Sequence, residues 1–129
     1  MQPFMAFFNT QAYALMRIGV GFLFLWHGTQ KLFGFPIPAR EGTPAFIITI
    51  AGPIELIGGT LVMVGLFTRQ AAFVCSGLMA AAYWLAHGTK ALFPLQNTGE
   101  LAALYCFVFL LISTQGGGIL SLDASRRPG

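Results

Sequence analysis

Arg17 and Glu55 are the residues most able to do chemistry in this chain, because each falls inside a long apolar run. A charged side chain at the centre of a membrane helix costs about 2.5–3.5 kcal/mol, so an ionisable residue kept there needs a partner or a task. The two are expected to pair between neighbouring antiparallel helices. Their depths differ by roughly 8 Å at 1.5 Å per residue, which a long arginine side chain can largely span. Such a pair is either part of a polar pocket for a ligand, a quinone headgroup or a proton, or a clamp that sets helix register. Arginine and histidine supply donors to a carbonyl headgroup and a glutamate can carry a proton, so Arg17, His27 and Glu55 are the candidate pocket for a quinone.

His27 and His87 are the two histidines of the chain. Each opens the same motif: His27-Gly28-Thr29 is followed by Leu32-Phe33, and His87-Gly88-Thr89 by Leu92-Phe93. This self-similarity points to an internal duplication of a two-helix unit. Two histidines at matching depth could ligate a b-type haem. The plainer reading is that they hydrogen-bond at the membrane interface, because each is followed by glycine, threonine and soon proline and so marks a helix end. A two-histidine zinc or copper site lacks further obvious ligands, and no metal is expected. Lys31 and Lys90 share a helical face with their histidines. They are secondary candidates, and the simpler role for both is to snorkel to lipid headgroups. Glu100 could pair with Lys90 or complement the start of the last helix.

These side chains need elements to hold them. The chain has 129 residues, of which 56% are hydrophobic and 9% charged. A soluble domain carries roughly 25% charged residues. Four apolar stretches, at about 11–33, 44–67, 70–87 and 99–115, approach the roughly 20 residues that cross a bilayer. A soluble bundle would need a polar stripe on each helix, and Gln70–Ala86 has none. The expectation is an all-α integral membrane four-helix bundle, one domain over 1–129, built from two duplicated two-helix units. Residues 116–129 read as a polar tail frayed at the headgroups. Met1–Thr10 has no basic side chain, so a cleaved signal peptide is not expected.

With four spans both termini share one face, together with Arg69, Arg126, Arg127 and, just inside, Arg17. Lys31, Arg40 and Lys90 lie on the other, with Glu41 and Glu100. This balance slightly favours cytoplasmic termini. No basic run interleaved with aromatics speaks for nucleic acid. The expected partners are membrane lipid, a redox protein and further copies or subunits in an oligomer. Cys75 and Cys106 read as packing thiols. Gly19, Gly21, Gly52, Gly58 and Gly59 read as close helix contacts. Pro53 can kink the second helix near Glu55.

Several of these residues form a pattern that resembles the DoxX family of small four-helix bacterial membrane proteins. They are Arg17-x-x-x-Gly21-x-x-Phe24-x-x-His27-Gly28-x-x-Lys31-Leu32, then Glu55-x-x-Gly58-Gly59 and Gly65-Leu66-Phe67-Thr68-Arg69, with His87-Gly88, Phe93 and Gly99-Glu100-Leu101 continuing it. The resemblance covers about Ala14 to Ser113. It implies an inner-membrane protein related to subunits of membrane oxidoreductases, including thiosulfate:quinone oxidoreductase, and to thiol-redox systems. The leading expectation is a membrane subunit or partner of a quinone- or thiol-linked redox system. The alternatives are a small-molecule permease and a noncatalytic scaffold or assembly factor.

Overall fold

The computed structural model describes residues 4–126. Arg127, counted in the charge balance above, lies outside them. The described residues are helical, with no strand. A short 3₁₀ turn, Phe4–Phe8, leads into α1, Asn9–Phe33. α1 stops at Gly34, whose positive φ of 64° lets its N–H turn back onto the Gln30 carbonyl at 3.0 Å. After a proline-containing loop, a π-helical turn Ile47–Ala51 runs straight into α2, Gly52–Val64. Pro53 therefore does not break the second helix. It has no N–H to offer the preceding turn, and the helix widens into the π turn just before it.

α2 ends on Gly65, and α3 follows as Thr68–Ala82, continued by a second π turn, Tyr83–Gly88. A short α4, Pro94–Asn97, precedes α5, Glu100–Gln115. The tail as far as Arg126 is not frayed. It folds back over the ends of the helices and forms α6, Leu122–Ser125, with Ser121 Oγ capping the Ala124 N–H at 3.1 Å.

α1 packs chiefly on α2 and α3 chiefly on α5, while α2 and α3 join the two pairs. The buried core between them holds Phe24, Val62, Cys75, Met79, Phe109 and Ile112. Glycines let α1 and α2 touch through their backbones. A Cβ at Gly28 would lie 2.4 Å from the Leu56 nitrogen, and one at Gly21 would lie 2.5 Å from that of Met63. Gly59 faces Leu25 in the same way from the α2 side. Between α3 and α5, the Ser76 hydroxyl donates to the Cys106 carbonyl at 2.8 Å. Both cysteines are free thiols.

The outside of the molecule is apolar. Leu15, Ile57, Phe73, Leu104 and Phe107 are each more than half exposed, although each lies well inside a long helix. A water-soluble monomer rarely presents so much apolar surface. Two helices, Ile47–Val64 and Thr68–Gly88, are long and apolar enough to cross a membrane. α5 is apolar but has 16 residues, and α1 has 25 but carries Arg17, His27, Gln30 and Lys31.

The glycine contacts give a paired test. Gly28→Val should force α1 from α2 and deplete folded, monodisperse protein after detergent extraction. Gly19→Ala, with open space around its Cβ, should leave stability unchanged or raise it by up to about 1 kcal/mol. Thermal unfolding of the extracted proteins measures both, and equal damage from the two changes would refute the close-contact account.

Candidate functional site

Lys31 and His27 lie one turn apart on α1, a spacing that puts both on one face. That face meets the first turn of α2. Lys31 Nζ lies 2.9 Å from Glu55 Oε2 and 3.1 Å from Oε1. It is the only salt bridge among the described residues. Glu55 is 3% exposed, whereas the Lys31 side chain keeps 19% of its surface and reaches inward from the α1 end. The lysine does not snorkel outward as expected. Its ammonium gains more from the buried carboxylate, which would otherwise be left uncompensated.

Two further helices close the site. Tyr105 of α5 sets its ring edge-on to His27, with centroids 6.0 Å apart, and packs at 5.0 Å on Phe24. Cys75 of α3 presses its Sγ against Gly58, where an added Cβ would come within 2.5 Å of the sulfur. Gly58 is three residues on from Glu55, so Cys75 lies about one turn along α2 from the carboxylate. Lys31, His27 and Glu55 thus lie along the α1–α2 contact, with Tyr105 against the histidine and Cys75 against Gly58. Sequence reasoning missed Tyr105, which carried no local signal beyond being an aromatic in an apolar helix.

Arg17 is not part of this cluster, and the expected Arg17–Glu55 pair does not form. The fully buried Arg17 points to the other end of the molecule. Its Nη1 donates to the Val62 and Met63 carbonyls, both at 2.8 Å. These belong to the last turn of α2, where carbonyls lack helical partners and the helix dipole is negative. Nε donates to Gly117 O at 2.8 Å, and Nη2 to Leu120 O at 2.7 Å and Ile119 O at 3.3 Å. Carbonyls thus replace the carboxylate that the sequence suggested, and Lys31 takes Glu55.

The same end explains the ordered tail. Asp123 accepts the Phe67 and Thr68 N–H groups, each at 2.9 Å, and the Thr68 hydroxyl at 2.7 Å, which caps α3 from the far end of the chain. Tyr13 Oη donates to Gly116 O at 2.6 Å, and Arg69 donates to the carbonyls of Ser113, Thr114 and Gln115. Burial pushes the Asp123 carboxyl up. Hydrogen bonds from the Thr68 hydroxyl and from the Thr68 and Phe67 amides, with the charge of Arg126, outweigh that and hold it below the usual aspartate range.

His87 sits apart from His27. It lies in the π turn after α3, with Nδ1 3.1 Å from Asn97 O. Asn97, 2% exposed, binds Tyr83 Oη at 3.0 Å and Ala91 O at 3.2 Å through Nδ2, and accepts the Gly99 N–H at 2.8 Å. His87 therefore braces the second loop. The two histidines share no hydrogen bond or ring contact, and Tyr105 and Phe24 fill the space beside His27. Lys90 and Glu100 are exposed and form no ion pair, and Glu100 takes the alternative place at the first residue of α5. No group of three or more His, Cys, Asp or Glu among the described residues is arranged to hold a metal ion.

The DoxX family profile matches residues 12–88, which include Arg17, His27, Lys31, Glu55 and His87. The chain belongs to the DoxX family. This DoxX protein is 43% identical over 116 residues to an "Uncharacterized protein" of Haemophilus influenzae, covering 85% of this chain and 87% of that one. It is 28% identical over 113 residues to the "Putative oxidoreductase CatD" of Bacillus subtilis, covering 84% and 82%. No solved structure matches it. The family and the two long apolar helices point to a membrane protein.

Two outcomes are expected at the Arg17 end. Arg17→Met leaves buried carbonyls without donors and should destabilise the protein by about 3 kcal/mol or more. Hydrogen exchange should show residues 116–125 released first, and unchanged protection there would refute the clamp. The Asp123 contribution is present above the ordinary aspartate value and is lost as pH falls through the lowered folded value. Tail protection should therefore fall with acidification in the native protein. Asp123→Asn should start with weaker protection and lose less of it.

Proposed function

We propose that this DoxX protein is an inner-membrane subunit or partner of a quinone- or thiol-linked redox system. His27, Lys31 and Glu55, with Tyr105 beside them, form its headgroup and proton site. The observation that carries the reading is the Lys31–Glu55 pair between α1 and α2, whose carboxylate is buried and whose lysine lies one turn from His27, itself packed against Tyr105. A matched buried pair is a weak source of stability. Intramembrane ionisable groups more often mark ligand or proton paths. The Bacillus relative named as an oxidoreductase supports the redox class.

In this reading all four long helices cross the membrane, with both termini on the cytoplasmic face, and the two halves descend from one duplicated unit. The protein works in an oligomer with a redox partner that delivers electrons. A quinone would supply the electron-accepting carbonyls. Lys31 Nζ and the His27 ring N–H are the donors that would hold them. Glu55, a carboxylate while paired, would take up a proton from water once Lys31 turns to a carbonyl and hand it to the headgroup as the redox partner delivers electrons. Arg17 has no part in this chemistry. His87, Lys90 and Glu100 would shape the face of the second loop.

The specific observation favouring a second reading is that Lys31 satisfies both Glu55 oxygens by itself. A scaffold needs no more than such a clamp.

Titrating a short-chain ubiquinone against the purified protein, read by fluorescence of Trp26 and Trp84, tests the proposal. Saturable binding is expected. It should weaken about tenfold in Lys31→Met and Glu55→Gln, the loss of one charge-assisted hydrogen bond, and stay unchanged in His87→Gln. Absence of saturable binding in the parent protein would sink the quinone site. A Lys31→Glu/Glu55→Lys exchange separates the readings further: a clamp recovers full function in the swap, and a ligand site does not.

A further inference from the structure

Two depressions on the surface of this protein meet. One is a polar cleft of about 400 Å³ at the end where the α2–α3 turn and the tail lie, with Arg69, Arg126 and Asp123 in its wall. The other is an apolar groove of about 320 Å³ on the outer face between α2 and α3, lined by residues that include Ile57, Leu61 and Val74. Phe67 and Gln70 line both. From Leu61 to Pro53 the groove follows α2 for about 12 Å at 1.5 Å per residue, away from the cleft and towards the middle of the helices.

The charges at the wide end favour an anion. The Arg126 guanidinium rests 5.2 Å from the centroid of the Phe67 ring, and among the described residues its side chain makes no hydrogen bond or ion pair. Arg69 commits Nη1 and Nη2 to the end of α5, and its Nε makes no hydrogen bond among the described residues. Asp123 contributes one negative charge, but its two carboxylate oxygens are already turned to Phe67 and Thr68. The cleft therefore keeps a net positive charge with unused donors. Guanidinium groups match phosphate oxygens in geometry as well as charge. A neutral quinone headgroup would make poor use of them.

We infer that this cleft and groove together bind one anionic phospholipid, its phosphate held by Arg126 and Arg69 and one acyl chain laid along Leu61, Ile57 and Val74. The inference rests on the membrane placement proposed above and is independent of the redox role. The site would fix a lipid of the leaflet on the terminal side, where a cytoplasmic face carries anionic lipid.

The test is native mass spectrometry of the detergent-purified protein with added phosphatidylglycerol or phosphatidylcholine of the same chain length. Retention of phosphatidylglycerol over phosphatidylcholine is expected. Arg126→Gln should lower that retention about tenfold. Val74→Trp, which fills the groove at a half-exposed position, should lower retention of the lipid while leaving the protein folded. Inorganic phosphate and chain-free glycerophosphoglycerol should fail to displace it. Equal retention of the two lipids, parental retention in Arg126→Gln, or full displacement by inorganic phosphate would each overturn the assignment. Recovery of the protein in the soluble fraction would overturn the membrane placement along with it. Recovery in the membrane without lipid preference would overturn this site alone.

Discussion

A guanidinium has five N–H donors in a fixed plane and stays charged at any ordinary pH, so burying it requires partners for those donors. In this protein Arg17 is buried completely, and its five hydrogen bonds all go to backbone carbonyls. Two come from the end of α2 and three from the tail. One side chain therefore ties α1 to the end of α2 and to residues 117–120 of the tail. Once the tail is in place Asp123 meets the start of α3, so the cap on that helix also depends on Arg17. The arrangement is directional. α1 and α2 could slide past one another along their glycine contacts, but not without breaking bonds to a planar group.

The second cation of α1 meets a different environment. Lys31 lies towards the opposite end and faces a carboxylate, where an ammonium with three freely rotating donors can leave and return. Arginine at the fixed end and lysine at the exchangeable end agree with their chemistry. The pair also explains why both are tolerated in one helix: each charge has its own compensation, and neither depends on the other. The tight contact between α1 and α2 through Gly21, Gly28 and Gly59 brings the backbones close enough for Lys31 to reach Glu55, and the Arg17 bonds keep the helices from sliding.

The long helices were legible as apolar runs, two of them long and apolar enough to cross a membrane, and the glycine contacts because small residues recur on facing sides. The pairing of Glu55 was not. α1 offers it two cations, and residue spacing cannot say which one prefers carbonyls. The α2 end that captures Arg17 has no side-chain signature, since Val62 and Met63 contribute only their backbones. The tail was misread for the same reason: Gly116–Gly118 looks like loose chain, yet its carbonyls are what Arg17 and Tyr13 need. The matched His-Gly-Thr motifs also mislead about surroundings. His27 lies in a regular helix against aromatic rings, and His87 in a π turn against Asn97.

Arg17 and its acceptor at Gly117 are 100 residues apart in the chain. A ribosome adding roughly 5–20 residues per second needs several seconds to make that stretch. Until it is made, the Val62 and Met63 carbonyls can meet Arg17, but the three acceptors at residues 117–120 do not yet exist. Water, lipid phosphate or the insertion machinery must hold the remaining donors meanwhile. Closure of the molecule is therefore a late event in its synthesis. A chain released before Gly116 would keep its helices and lack the means to lock them.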